Sequence, residues 1–254
     1  YPAGRFTVEI VRDIIDAPAT RGYMVDKSSD IGYIELRTFS QKAGHDVETE
    51  VLSLANQGMK GLILDLRYNG GGLVTQAVEV ASKFIPAGAV MHVQGRDGQK
   101  KTLYTAGRRV TDIPIVVLVN EYTASASEIV SGALQDTKVA TVVGVPTFGK
   151  GLVQTLFPLS DGSGLAVTTQ IYLTAGERAI TPDSPIKPDV EVQALTPEEL
   201  EKVKNEQAKR GGPVGPVTAE DLLRIDPALD PQLRRALEIL TDQIESRGAG
   251  RNAA

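Results

Sequence analysis

Hydrophobic positions along the chain follow two rhythms, one continuous or of period two and the other close to 3.6. The stretch IGYIELRTF (31–39) predicts a strand, and after it Val47, Val51, Leu54 and Ala55 recur at i, i+4, i+7 and i+8, which predicts a helix with one apolar face. GLILDLR (61–67) is nearly all apolar, as a strand covered on both faces is. Three glycines follow, then a helix with Val74, Val78, Ala81 and Ile85 in step. AVMHVQG and KTLYT read as strands, IPIVVLVN (113–120) as another buried one, and VATVVG (139–144) as a further one. LVQTLFPL and GLAVTTQIYLT are strands split by the turn signal SDGSG. Strands alternating with helices make this an α/β chain with consecutive βαβ crossovers in its middle.

Past residue 195 the pattern changes. TPEELEKVKNEQAK predicts a polar helix with a Thr cap and Pro at its first position, and RGGPVGP a linker. Residues 218–246 read as two further helices, the second carrying Leu233, Leu237, Leu240 and Ile244 on one face. Such a stripe must dock, either on the chain's own core or on another subunit. GAGRNAA is a frayed tail, and the chain contains no internal repeat.

Composition narrows the function classes. The chain has 254 residues, 41% of them hydrophobic, enough for one large domain or for one domain with appendages. A net charge of −5, no Trp and only 5% aromatics argue against a nucleic-acid surface. With no Cys there is neither a disulfide framework nor a thiolate zinc site, and His45 and His92 are too isolated to suggest a histidine metal site. No stretch reaches the length of a membrane span, and the first residues, YPAGRFTVEIVRD, do not read as a signal peptide.

The chemistry is concentrated in NEYTASASEIVSGALQD (120–136), where Thr123, Ser125 and Ser127 alternate at the end of an apolar strand. Ser125 with Glu128 three residues on satisfies the pattern of a capping box, so a structural role is open to it. The carboxyl end of an α/β strand is also where such sheets carry out chemistry, and the free amides of a helix N-terminus favour an oxyanion. A nucleophile there needs a base. A lysine in water, with a pKa of about 10.4, is a poor proton acceptor at neutrality, but burial and a helix N-terminus both penalise the ammonium form. Lys150, in VVGVPTFGKGLVQT, lies in an apolar segment with no acidic residue from Ala140 to Ser160. In an extended chain, alternation puts Lys150, Leu152 and Gln154 on one face, where the Gln154 carbonyl could orient the amine. DLRYNGGGLV offers a glycine amide which, with the amide after the nucleophile, would form an oxyanion hole. It fails the GxGxxG and GxxxxGK[ST] nucleotide patterns.

These segments resemble the C-terminal processing, or tail-specific, peptidases, serine enzymes with a Ser/Lys dyad. IGYIELRTF, GLILDLRYNGGG, TASASEIVSGALQD, VVGVPTFGKGLVQT, SDGSGLAVTT and PIKPDVEV match in the right order over about residues 30–195. The resemblance implies Ser125 rather than Ser127 as nucleophile, Lys150 as general base, Gln154 as its support, and the amides of Gly71 and Ala126 as the oxyanion hole. Asp136 and Arg67 fall at recurrent positions and are read as structural or positioning residues, and Glu128 as a cap partner. It further implies a core of the ClpP/crotonase kind, extended peptide added at a sheet edge, polypeptide substrates with apolar C-terminal tails, no cofactor or metal, and a place outside the cytoplasm. Residues 1–29 are expected to be a junction left by an absent PDZ domain, 30–195 the peptidase core and 196–254 a C-terminal helical region, through which a homo-oligomer could form. Two other readings stand beside it: a non-catalytic peptide-binding scaffold, against which the three intact site residues speak, and a crotonase-like acyl-CoA enzyme, which would need a cationic phosphate site that the sequence does not display.

Overall fold

The computed structural model describes residues 18–25, 30–107, 109–196, 198–199, 201–202 and 229–251. Two sheets carry the architecture. The larger has six strands in the order β1-β2-β3-β6-β7-β10: Thr20–Met24, Ile31–Leu36, Gly61–Asp65, Ile115–Val119, Ala140–Gly144 and Val190–Glu191. All its pairings are parallel except that of β1 with β2. The smaller is antiparallel, in the order β5-β4-β9-β8, from Lys100–Tyr104, Ala89–Gly95, Gly164–Thr174 and Leu152–Pro158.

Helices cover both faces of the large sheet, which is why its central strands β3 and β6 are buried throughout. Leu62 and Leu64 of β3, with Ile115, Val117 and Val119 of β6, face α1 (Ala43–Asn56), α2 (Val74–Ser82) and α3 (Ala126–Asp136). Ile63, Val116, Leu118 and Val143, at the intervening positions, face α4 (Pro231–Arg251). The apolar stripe of α4 therefore docks on its own chain: Leu233, Ala236 and Leu240 are fully buried there. That removes the argument for an oligomer built on this helix. Asp230 caps it, its Oδ1 accepting from Leu233 N–H at 2.9 Å, and Pro231 occupies the first position.

The strand at 31–39 ends at Leu36, and residues 115–119 are the paired part of 113–120. β1 lies within the region expected to be a junction; its sequence, TRGYM, alternates too weakly to announce a strand, yet it pairs in full register with β2. Thr196 caps as expected, its Oγ1 accepting from Glu199 N–H at 3.3 Å. Most of the helix that follows, the linker, the first helix of 218–246, most of the N-terminal junction and the last residues of the tail lie outside the described residues. Among those described, no helix is long and apolar enough to cross a membrane.

Candidate active site

The three alternating hydroxyls at the β6–α3 turn have different surroundings. Thr123 is fully buried; its Oγ1 donates to Leu66 O and accepts from Asn120 N–H, both at 2.9 Å. Ser127 is fully buried and donates to Asn69 O at 2.9 Å. Both hydroxyls fasten this turn to the loop between β3 and α2. Ser125 is half-buried and is the N-cap residue of α3, with φ 56° and ψ −115°. A residue with a side chain pays about 1–3 kcal/mol for such a conformation, which persists only where the surroundings over-determine it.

Glu128 supplies much of that determination. Its side chain is fully buried. Oε1 accepts from Thr147 Oγ1 at 2.6 Å and Gly149 N–H at 2.7 Å, and Oε2 accepts from Ser125 N–H at 2.9 Å and Lys150 N–H at 2.8 Å. No ion pair among the described residues involves this carboxylate; four donors satisfy it instead. Two amide nitrogens that share one oxygen at those lengths are at most 5.7 Å apart, the total of the two. Residues 25 positions apart in sequence are thus brought together at the backbone, and Glu128 does more than cap a helix.

The lysine segment is shaped by its flanking glycines. Gly149 has φ 84°, and a side chain at either Gly149 or Gly151 would collide with the backbone of Ile180 and Thr181. Lys150 itself is exposed, and its Nζ makes no hydrogen bond or ion pair among the described residues. The desolvated amine expected from the apolar sequence is therefore not found: Lys150 leads into β8, which has a neighbour on one side only. Gln154 is also exposed, on the same face of β8 as Leu152, and no hydrogen bond joins it to Lys150 or Lys150 to Ser125 among the described residues.

Gly71 lies directly against the turn that carries Ser125. With φ 103°, it has room for no side chain: a Cβ would stand 2.9 Å from both Ala124 O and Ser125 Cβ, and 3.0 Å from Ala126 N. The two amides expected to form the oxyanion hole are neighbours. Ala126 N–H has no partner among the described residues, whereas Gly71 N–H donates to Asn69 Oδ1 at 2.9 Å. Asn69 is fully buried, and its Nδ2 donates to Leu36 O at 2.7 Å.

Farther back, Arg67 is clasped between Asp65, at 2.6 Å, and Asp230, at 2.7 Å. Burial opposes its charge, but Asp65 and then Asp230 more than offset this and raise its pKa. Tyr33 O–H donates to Asp65 Oδ2 at 2.6 Å; burial, then the Asp65 charge, push the phenol pKa up. Arg67 thereby ties the strand before the glycines to the start of α4. Asp136 is structural too, accepting from Arg178 at 2.6 Å and from Gly176 N–H at 2.7 Å.

The profile of peptidase family S41 matches residues 30–192, a span holding every one of these groups except Asp230. The chain belongs to peptidase family S41. It is 48% identical over 144 residues to a carboxyl-terminal-processing protease of Synechocystis, covering 57% of this chain and 34% of that protein. To a carboxy-terminal-processing protease of Bartonella bacilliformis it is 36% identical, covering 93% of this chain and 57% of that one. Among solved structures, the photosystem II D1 C-terminal processing protease superposes with a TM-score of 0.64 at 34% identity, over 72% of this chain and 50% of that one. The mixed α/β architecture is that of the S41 proteases, and the chain spans from about a third to somewhat over half of the length of these relatives.

Sequence reasoning did not single out Asn69, Asn120 or Thr147. All three are buried, and each has partners far away in sequence: Asn69 bonds Leu36 and Ser127, Asn120 bonds Tyr68, and Thr147 bonds Glu128. The available signal was a single asparagine just past each of two apolar strands, too common by itself to mark a site.

Proposed function

We propose that this chain is the core of a serine endopeptidase that cleaves proteins near their C-terminal tails, with Ser125 and Lys150 as its catalytic dyad. The observation that carries this reading is the convergence of the Ser125 and Lys150 amides on one oxygen of Glu128, beside Gly71. Thr123 and Ser127 spend their hydroxyls on backbone carbonyls, which leaves Ser125 as the hydroxyl of the three suited to attack.

Ser125 Oγ attacks the scissile carbonyl while neutral Lys150 takes its proton, and the oxyanion forms against Ala126 N–H and Gly71 N–H. Gly71 must exchange its bond to Asn69 Oδ1 for the substrate oxygen. Lys150 then protonates the leaving amine. The same lysine deprotonates the water that hydrolyses the acyl-enzyme. Because Lys150 is exposed, its dehydration falls to the arriving polypeptide, and Gln154 accepts from the amine as the cleft fills.

The free edge of β8 suits an added substrate strand, and Leu152, Leu156, Phe157 and Leu165 on its hairpin, each 45% to 73% exposed, suit an apolar tail. Residues 30–195 form the peptidase core in this reading and 196–254 a helical region attached to it. The family resemblance further suggests work outside the cytoplasm and an association with a PDZ domain.

Digestion of an unfolded polypeptide by the wild type, Ser125→Ala and Lys150→Ala tests the assignment. Cleavage should fall to background in both variants while their circular dichroism stays native. Undiminished digestion by either would refute the dyad.

A further inference from the structure

Tyr68 and Tyr122 stand on separate loops, three residues before Gly71 and three before Ser125 respectively, and their rings stack on one another with centroids 5.5 Å apart and planes 20° apart. Neither is buried by this: Tyr68 is 72% exposed and Tyr122 57%. Both backbones hang from one buried group, since Asn120 Oδ1 accepts from Tyr68 N–H at 3.0 Å and from Tyr122 N–H at 3.1 Å. Tyr68 also sits at φ 60°, a left-handed conformation that is an outlier for a bulky side chain. The pair is anchored at its backbone and open to solvent at its rings.

Three residues of chain span at most about 11 Å, so the Cα of each tyrosine lies within that distance of the Cα of Gly71 or Ser125. A bound polypeptide in extended form covers the same distance with about three residues.

We propose that the Tyr68–Tyr122 stack is a specificity platform that receives one bulky apolar or aromatic side chain of the polypeptide substrate, within three residues of the scissile bond. The inference rests on the reading of Ser125 and Gly71 as catalytic groups. An exposed aromatic pair offers one outer ring face and its edges to such a side chain, and the anchoring on Asn120 means that little order is lost when it binds.

The test uses Ser125→Ala protein, which holds peptides without cutting them, and a fluorescein-labelled set of ten-residue peptides in which one position is varied among Phe, Leu, Ala, Ser and Asp. Anisotropy titrations should show tighter binding for Phe or Leu than for Ser at one position. Adding Tyr68→Ala or Tyr122→Ala should erase that preference, weakening the Phe peptide about tenfold and the Ser peptide little. Adding Tyr68→Phe or Tyr122→Phe should keep it. If Tyr68→Ala does not fold, Tyr122→Ala, with no positive φ to relax, carries the measurement. The same preference in wild-type and Ala backgrounds, or no preference at all, overturns the platform. Digestion of the same peptides by the wild type reports separately: if cutting is absent or survives Ser125→Ala, the catalytic reading fails, while a tyrosine-dependent preference would still establish the binding site.

Discussion

The proposed nucleophile and its proposed base stand on unlike supports. Ser125 follows β6, whose five residues are all buried, and opens α3, of whose eleven residues ten are buried. Lys150 leads into β8, where six of seven residues are exposed and which forms the outer edge of the smaller sheet. One partner is fixed by the core; the other is held by its own backbone, through Glu128 and the close fit of Gly149 and Gly151 against residues 180 and 181. On the proposed reading, the contrast amounts to a division of labour in which a serine held by the core waits for an amine whose surroundings are completed by substrate.

The sharpest test sets the two supports against each other. Lys150→Ala should abolish cleavage yet shift unfolding free energy by less than about 0.5 kcal/mol, as an exposed, unpaired side chain does. At Ser125 the backbone itself is strained, so Ser125→Gly should be more stable than Ser125→Ala by about 1 kcal/mol in denaturant unfolding, with both inactive. Equal stabilities would mean that the turn is not under strain.

Glu128→Gln comes next. The amide keeps the shape but offers N–H groups where donors already point, so two of the four hydrogen bonds are lost in a fully buried place, at a cost of about 2–4 kcal/mol in stability. Cleavage should fall about a hundredfold through kcat, because both loops lose their common anchor. A variant of near wild-type rate would show that the convergence on one oxygen is incidental. Smaller again, Gln154→Ala should lower kcat about tenfold with melting unchanged, since Gln154 is exposed and its role begins only when substrate arrives. The smallest stability effect belongs to the hairpin: Leu156→Ser, at 73% exposure, should leave unfolding within about 0.5 kcal/mol while raising KM for substrates with apolar tails.

Much of this framework was legible beforehand. Continuous apolar runs announced β3 and β6, and the 3.6-residue spacing announced α1 and α2, because each pattern is a local consequence of which faces are covered. β1 escaped because a short edge strand with Gly and Arg in it carries little pattern. The solvation of Lys150 was misjudged for a related reason: apolar neighbours in sequence imply burial only if something packs on them, and the β8–β9 hairpin leaves Leu152, Leu156 and Phe157 open.

The sequence by itself determined the α/β order, the glycine-lined turn after β3, the hydroxyl-rich start of α3 and the lysine between two glycines, all properties of residues close together in the chain. Only the tertiary structure decided which hydroxyl is left over, since Thr123 and Ser127 are claimed by carbonyls 57 and 58 residues away. It alone also turned a helix-capping glutamate into the clamp between two loops and seated the stripe of α4 on its own sheet. Those outcomes depend on buried polar groups and apolar faces finding partners, and a partner distant in sequence is chosen by packing.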